Sequence, residues 1–155
     1  MKLLHESDKT KITLQGSLVT KYFIGEEAIE RFEKEIAFYK IFTSHNLPHF
    51  VEGNAKPIPH ITTSLLKGEA PGFLDQLEAG LLTHKDFIRI REALFNIQNL
   101  PRTSLLIHSD LAPHNIYLTD NRVVIADWDS YFYIKDIKYR MYDYAFLWAT
   151  LDFNE

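Results

Sequence analysis

Apolar positions change their period along the chain, and each change marks an element. In residues 2–23 the period is two. Leu3 and Leu4 are followed by a polar turn over 5–10, alternation resumes over 11–14, and Gln15, Gly16 and Ser17 read as a second turn before a run over 18–23. This predicts three strands. Over 26–42 the period becomes helical, with Ala28, Ile29, Phe32, Ile36 and Tyr39 on one side and Glu35 at its border. Residues 43–60 are rich in Asn, Pro and Gly, and 50–52 and 58–63 read as strands four and five. A short helix is predicted over 73–81. A longer one begins at Thr83, with Asp86 placed to complete a capping box and Phe87, Ile90, Leu94 and Ile97 at helical spacing as far as Pro101. Three short apolar strands follow over 105–107, 116–118 and 123–126, with a turn at 119–121 between the last two. An apolar helical segment over 142–151 comes last.

A chain of 155 residues is long enough for a real core. Its 46% apolar and 25% charged content is that of an ordinary soluble globular protein. The formal net charge of −4 argues against a nucleic-acid partner held by phosphate neutralisation. With no cysteine there is neither a disulfide framework nor a thiolate zinc site. No apolar run is long enough to span a membrane and nothing resembles a signal peptide, so a cytoplasmic location is expected.

Candidate chemistry lies where the short strands end. Asp110, Asn115 and Asp127 each sit on or beside a strand end. Their oxygens suit a hard cation such as Mg²⁺, and a carboxylate at such a tip is a candidate base. A hairpin whose Asp and Asn cap turns is the structural alternative. Earlier in the chain, Lys21 shares an apolar face with Val19 and Phe23. A lysine there is costly unless paired.

His108-x-Asp110 followed by Asn115, then an apolar run ending in Asp127-Trp128-Asp129, resembles the catalytic and metal loops of the protein-kinase-like fold. The residues look most like the aminoglycoside phosphotransferase and choline kinase branch and like small bacterial sugar kinases. The resemblance covers 104–150 well and 12–68 more weakly. It implies an α+β, two-lobed protein-kinase-like fold, with a small antiparallel-sheet N-lobe over 1–66 and a mostly helical C-lobe over 67–155. Such domains usually need more chain, so this one is expected to be minimal or truncated.

The resemblance also implies roles. Asp110 would take or orient the acceptor's hydroxyl proton, and Asn115 and Asp127 would complete the catalytic set by holding Mg²⁺. Asp129 would help a second ion or cap the turn. Lys21 would neutralise the α- and β-phosphates of ATP, paired with Glu35, or with Glu33 in reserve. The first turn, His5-Glu6-Ser7-Asp8-Lys9, would cover the phosphates without a glycine, through Ser7 and backbone amides. A hinge over 62–66, with Thr63 and Leu65, would bind adenine. His108 would be a scaffold, His114 a surface residue, Trp128 a core residue, and Asp143 a brace for the catalytic loop.

Ala112 stands where serine/threonine protein kinases carry a lysine, and no Ala-Pro-Glu element follows Asp129. The expected activity is therefore transfer of the γ-phosphate of ATP to a small-molecule or sugar hydroxyl. The alternatives are a RIO-like protein serine kinase and a pseudokinase-type binding module.

Overall fold

In the computed structural model, residues 1–64, 83–112, 115–118 and 122–150 are described, with side chains as far as Leu147. The period-two stretches form an antiparallel meander of β1 (Lys2–Glu6), β2 (Thr10–Gln15) and β3 (Leu18–Phe23). β4 (His49–Asn54) and β5 (His60–Ser64) complete a five-stranded sheet in the order β1-β2-β3-β5-β4. The first turn is tighter than the polarity of 5–10 predicts. His5 and Glu6 still pair with Ile12 and Lys11, so only residues 7–9 turn. Gly16 supplies the left-handed backbone of the second turn, at φ 62°.

Helix α1 (Ala28–Ile41) covers one face of this sheet. Its buried residues are Phe32, Glu35, Phe38 and Tyr39, while Ile29 is 45% exposed. The helix keeps Phe32, Ile36 and Tyr39 of the expected stripe toward the sheet but is rolled away from Ile29. The roll carries Glu35 from the border of the apolar face into its middle, where Lys21 waits on β3. Helix and sheet meet closely enough that a Cβ on Gly53 would collide with Ile36.

Contacts divide the chain into two units, Met1–Thr43 with Pro48–Ala70, and Ser44–Leu47 with Pro71–Glu155. The expected boundary at 66, the 73–81 helix, Leu65, His114 and the 119–121 turn all lie outside the described residues.

In the second unit α2 (His84–Gln98) begins with the predicted capping box. Asp86 N–H donates to Thr83 Oγ1 at 3.1 Å and Thr83 N–H to Asp86 Oδ2 at 3.4 Å. Ile90, Leu94 and Ile97 are buried, as their spacing predicts. The helix ends at Gln98, ahead of Pro101, because the side-chain amide of Asn99 turns back to the Phe95 carbonyl.

Strands β6 (Leu105–Ile107), β7 (Ile116–Leu118) and β8 (Val123–Ile125) are buried throughout. β7 and β8 form an antiparallel hairpin. β6 pairs instead with β9 (Phe132–Ile134), placing Ile107 opposite Phe132. A 3₁₀ turn (Ile137–Met141) leads into α3 (Tyr142–Thr150).

The Ser44–Leu47 segment is tied to β8. Ile125 N–H donates to the Asn46 carbonyl at 2.9 Å, and Asn46 Nδ2 donates to the Val123 carbonyl at 3.0 Å. Arg122 donates to the carbonyls of His45 and Leu47. The described chain is mixed α+β, with an antiparallel sheet and three α-helices. None of those helices is long and apolar enough to cross a membrane.

Candidate active site

Strand β6 is too short to fix the loop beyond it, so side chains do so. Asp143, on α3 and fully buried, accepts the His108 N–H at 2.8 Å and the Ser109 N–H at 2.9 Å. Ser109 Oγ donates to the Ser130 carbonyl at 2.6 Å. These bonds hold Ser109 at φ 75°, and Asp127, in the facing loop, stands at φ 71°. Left-handed backbone at a non-glycine residue costs about 1–3 kcal/mol and persists only where the surroundings over-determine it.

His108 bolts the two loops together. Its Nδ1 accepts the Asp110 N–H at 3.1 Å, which leaves the proton on Nε2 to donate to the Ala126 carbonyl at 2.8 Å. The ring lies edge-on to Trp128, centroids 4.6 Å apart. Trp128 is fully buried and donates Nε1–H to the Ile125 carbonyl at 2.8 Å, so it packs in the core.

Asn115 makes the second link. Its Nδ2 donates to the Asp110 backbone carbonyl at 2.8 Å, and its own carbonyl accepts the Ala126 N–H at 2.8 Å. Asn115 is buried, and among the described residues its Oδ1 has no hydrogen-bond partner. Asp110 is exposed and Asp127 half-buried. Asp129 Oδ1 accepts from Ser130 Oγ at 3.4 Å. The Tyr131 phenol nearby in sequence is pushed up, first by burial and then by Tyr133.

The loops carrying Asp110, Asn115 and Asp127 are therefore joined through one imidazole and one amide. Among the described residues no group of three His, Cys, Asp or Glu side chains is placed to hold a metal. The donor set here is two acids and an amide. Mg²⁺ is commonly held by one or two carboxylates, with phosphate and water supplying the rest. The orphaned Asn115 oxygen is the observation that fits a hard cation.

In the first unit Lys21 Nζ lies 3.1 Å from Glu35 Oε2 and 3.4 Å from Oε1. The two side chains are 9% and 2% exposed. Glu33 is exposed, and the helix roll gives the place to Glu35. Thr63 is buried opposite Val19, on the sheet face that also carries Lys21. Ser7, expected to reach the phosphates, makes bonds within its own turn. Its Oγ accepts the N–H groups of Lys9 and Thr10, both at 3.1 Å, and its own N–H donates to the Thr10 carbonyl at 2.8 Å. Ser7 Oγ also lies 3.3 Å from Thr10 Oγ1, so the side chain helps to close its turn.

Sequence reasoning missed Arg122 and the Ser109–Ser130 bond. Neither position differs from a surface polar residue until the partner carbonyls, far along the chain, are in place. No protein-family model matches the chain, and no curated protein matches it.

Proposed function

We propose that this chain is a protein-kinase-like, two-lobed phosphotransferase that moves the γ-phosphate of ATP to the hydroxyl of a small molecule such as a sugar. The observation that carries the reading is the buried, unpartnered Oδ1 of Asn115, next to Asp110 and joined to Asp127 through Ala126.

Asp110, exposed at its loop tip, orients the acceptor hydroxyl and receives its proton. The acceptor oxygen forms a bond to the γ-phosphorus, the bond from that phosphorus to the β–γ bridging oxygen breaks, and ADP leaves. Asn115 Oδ1 and Asp127 would hold Mg²⁺, with Asp129 beside them. The ion, when bound, neutralises phosphate charge. Lys21, paired with Glu35, sets an ammonium against the α- and β-phosphates. Most of the rate in such a reaction comes from positioning and electrostatics. The hydrogen bonds that His108, Asn115 and Asp143 make to loop backbone support that role. Ala112 provides no cation for a peptide acceptor's site, which supports a small-molecule acceptor.

One observation favours a pseudokinase-type binding module without turnover: the Lys9 and Thr10 amides of the first turn are already donated to Ser7 Oγ. ATP consumption across a panel of sugars and amino sugars separates the two. The enzyme reading expects Mg²⁺-dependent turnover that Asp110→Ala and Asp127→Ala each abolish. Nucleotide-induced thermal stabilisation without turnover would favour the module. An Asp127→Ala variant with unchanged Mg·ATP affinity would remove both.

A further inference from the structure

Helix α2 and the 3₁₀ turn that enters α3 leave an open cavity of about 630 Å³ between them, within the second unit. Small-molecule sites usually measure about 300–1,000 Å³. From α2 the cavity is lined by Arg91, Glu92 and Phe95. From the other side come Arg140, Met141 and Tyr144. Phe95 is 51% exposed and Met141 63%, so each side stands one large apolar side chain in water. None of these residues belongs to the loops of Asp110, Asn115 and Asp127, and the phosphotransferase reading gives them no role.

The cationic wall is held in place by α2. Gln98 Nε2 donates to the Arg140 carbonyl at 3.1 Å, and Arg140 Nη2 donates to Asn99 Oδ1 at 3.2 Å. The guanidinium lies over the Phe95 ring, with Cζ 4.8 Å from the centroid, as suits a planar cation. Its Nη1 is buried and has no acceptor among the described residues. A donor in that state is costly, and an incoming acceptor relieves the cost once the side chain turns to meet it. Tyr144 Oη donates to the Arg91 carbonyl at 3.4 Å, which joins the two sides. Burial raises the pKa of that phenol and the charges of Arg140 and Arg91 act against the rise, so both guanidiniums lie near one hydroxyl.

Charge and shape together select the occupant. Two arginines against the single carboxylate of Glu92 make the lining net positive, on a chain whose formal net charge is −4. A monoanion balances that lining, whereas a dianion would meet Glu92. A carboxylate matches a guanidinium in its plane and takes two N–H groups at once. The rings of Phe95 and Tyr144 offer faces and edges to another ring. A rigid aromatic body also loses less freedom on entering than an acyl chain does.

We propose that the cavity between α2 and α3 binds an aromatic carboxylate, with its acid group between Arg91 and Arg140 and its ring system against Phe95 and Met141. This site is independent of the phosphotransferase reading.

The probe is 2-naphthoate, titrated into the full chain carrying methyl-labelled methionine and followed by NMR. Met1 and Met141 are the only methionines, so one methyl signal reports on the cavity and the other is an internal control. The Met141 signal should move saturably, and the Met1 signal should stay still. 2-Naphthoate should bind about tenfold tighter than neutral 2-naphthamide, and tighter than octanoate. Arg91→Gln should weaken binding about fivefold, and Arg140→Gln should weaken it further. Because Arg91 is exposed, its variant decides the matter even if Arg140→Gln fails to fold. A Met141 signal that does not move at millimolar 2-naphthoate overturns the proposal. So does equal binding of the amide or of octanoate, and so does an Arg91→Gln variant that binds as tightly as the wild type.

Discussion

The side-chain amide of Asn115 donates to the backbone carbonyl of Asp110 at 2.8 Å, and that bond decides which way the amide faces. Nitrogen is spent on the loop, and oxygen is left buried without a donor. A buried acceptor without a partner is costly in an otherwise satisfied core. Asn115→Asp replaces the donor by a second oxygen facing a carbonyl and adds a buried charge that needs a cation. In EDTA the variant should lose about 1–3 kcal/mol of stability. Adding Mg²⁺ should raise its melting temperature more than that of the wild type. Equal Mg²⁺ responses would mean that this oxygen does not face the ion.

Asp143→Asn tests the brace beneath the same loop. The carboxylate accepts two backbone N–H groups, and an amide can accept only one without setting donor against donor. Charge-assisted bonds of this kind are the strong ones. Urea unfolding should show a loss of about 2–3 kcal/mol. Exchange at the His108 and Ser109 amides should rise with it. Full stability with unaltered exchange would show that the strained Ser109 backbone is held by something else.

Local patterns in the sequence were legible because they depend only on neighbours. Strand alternation over 18–23, the capping box at Thr83 and the apolar runs on either side of Asp110 are of this kind, and the elements lie where those patterns put them. β9 was not legible, since Phe132 and Tyr133 are exposed and show no alternation. Its strand character comes from pairing with β6 across the chain. The roll of α1 was hidden for a related reason. Counting apolar residues favours Ile29, but a buried ammonium on β3 outweighs one isoleucine left in water. Lys21 and Glu35 were legible together because a lysine on an apolar face demands a partner. The inward bonds of Ser7 were not legible, since its hydroxyl oxygen accepts the Lys9 and Thr10 amides only once the turn is formed.

Tyr144 gives the second unit a pH dependence of known sign. Burial, the largest cause, raises its pKa above 10.0, against the lowering effect of Arg140 and Arg91. Below the ordinary phenol pKa both states keep the proton. As pH rises further the unfolded chain loses its proton first and therefore binds fewer protons than the folded one. Stability then falls with pH. Tyr144→Phe should flatten that decline above about pH 10 in urea titrations. The flattening should be partial, because Tyr131 shifts in the same direction. An unchanged alkaline slope would mean that the Tyr144 phenol ionises equally in both states.

The Lys21–Glu35 pair allows stability and function to be separated. Both side chains are almost fully buried, so removing one takes a close counter-charge from the other. Lys21→Met should therefore cost about 3–5 kcal/mol, because the buried Glu35 carboxylate loses the ammonium 3.1 Å away. Adding Glu35→Leu removes that carboxylate. The double variant should regain most of the loss or exceed the wild type, as replacing a buried ion pair by packed apolar residues is often neutral or stabilising. If the pair were only structural, the stability restored in the double variant would restore everything. If the ammonium serves the phosphates, the double variant should fold as well as the wild type and still show no thermal shift with millimolar Mg·ATP. On that reading stability would come from the pair being complete, and nucleotide binding from the lysine being present. A double variant that regains the Mg·ATP shift along with its fold would assign Lys21 to the core alone.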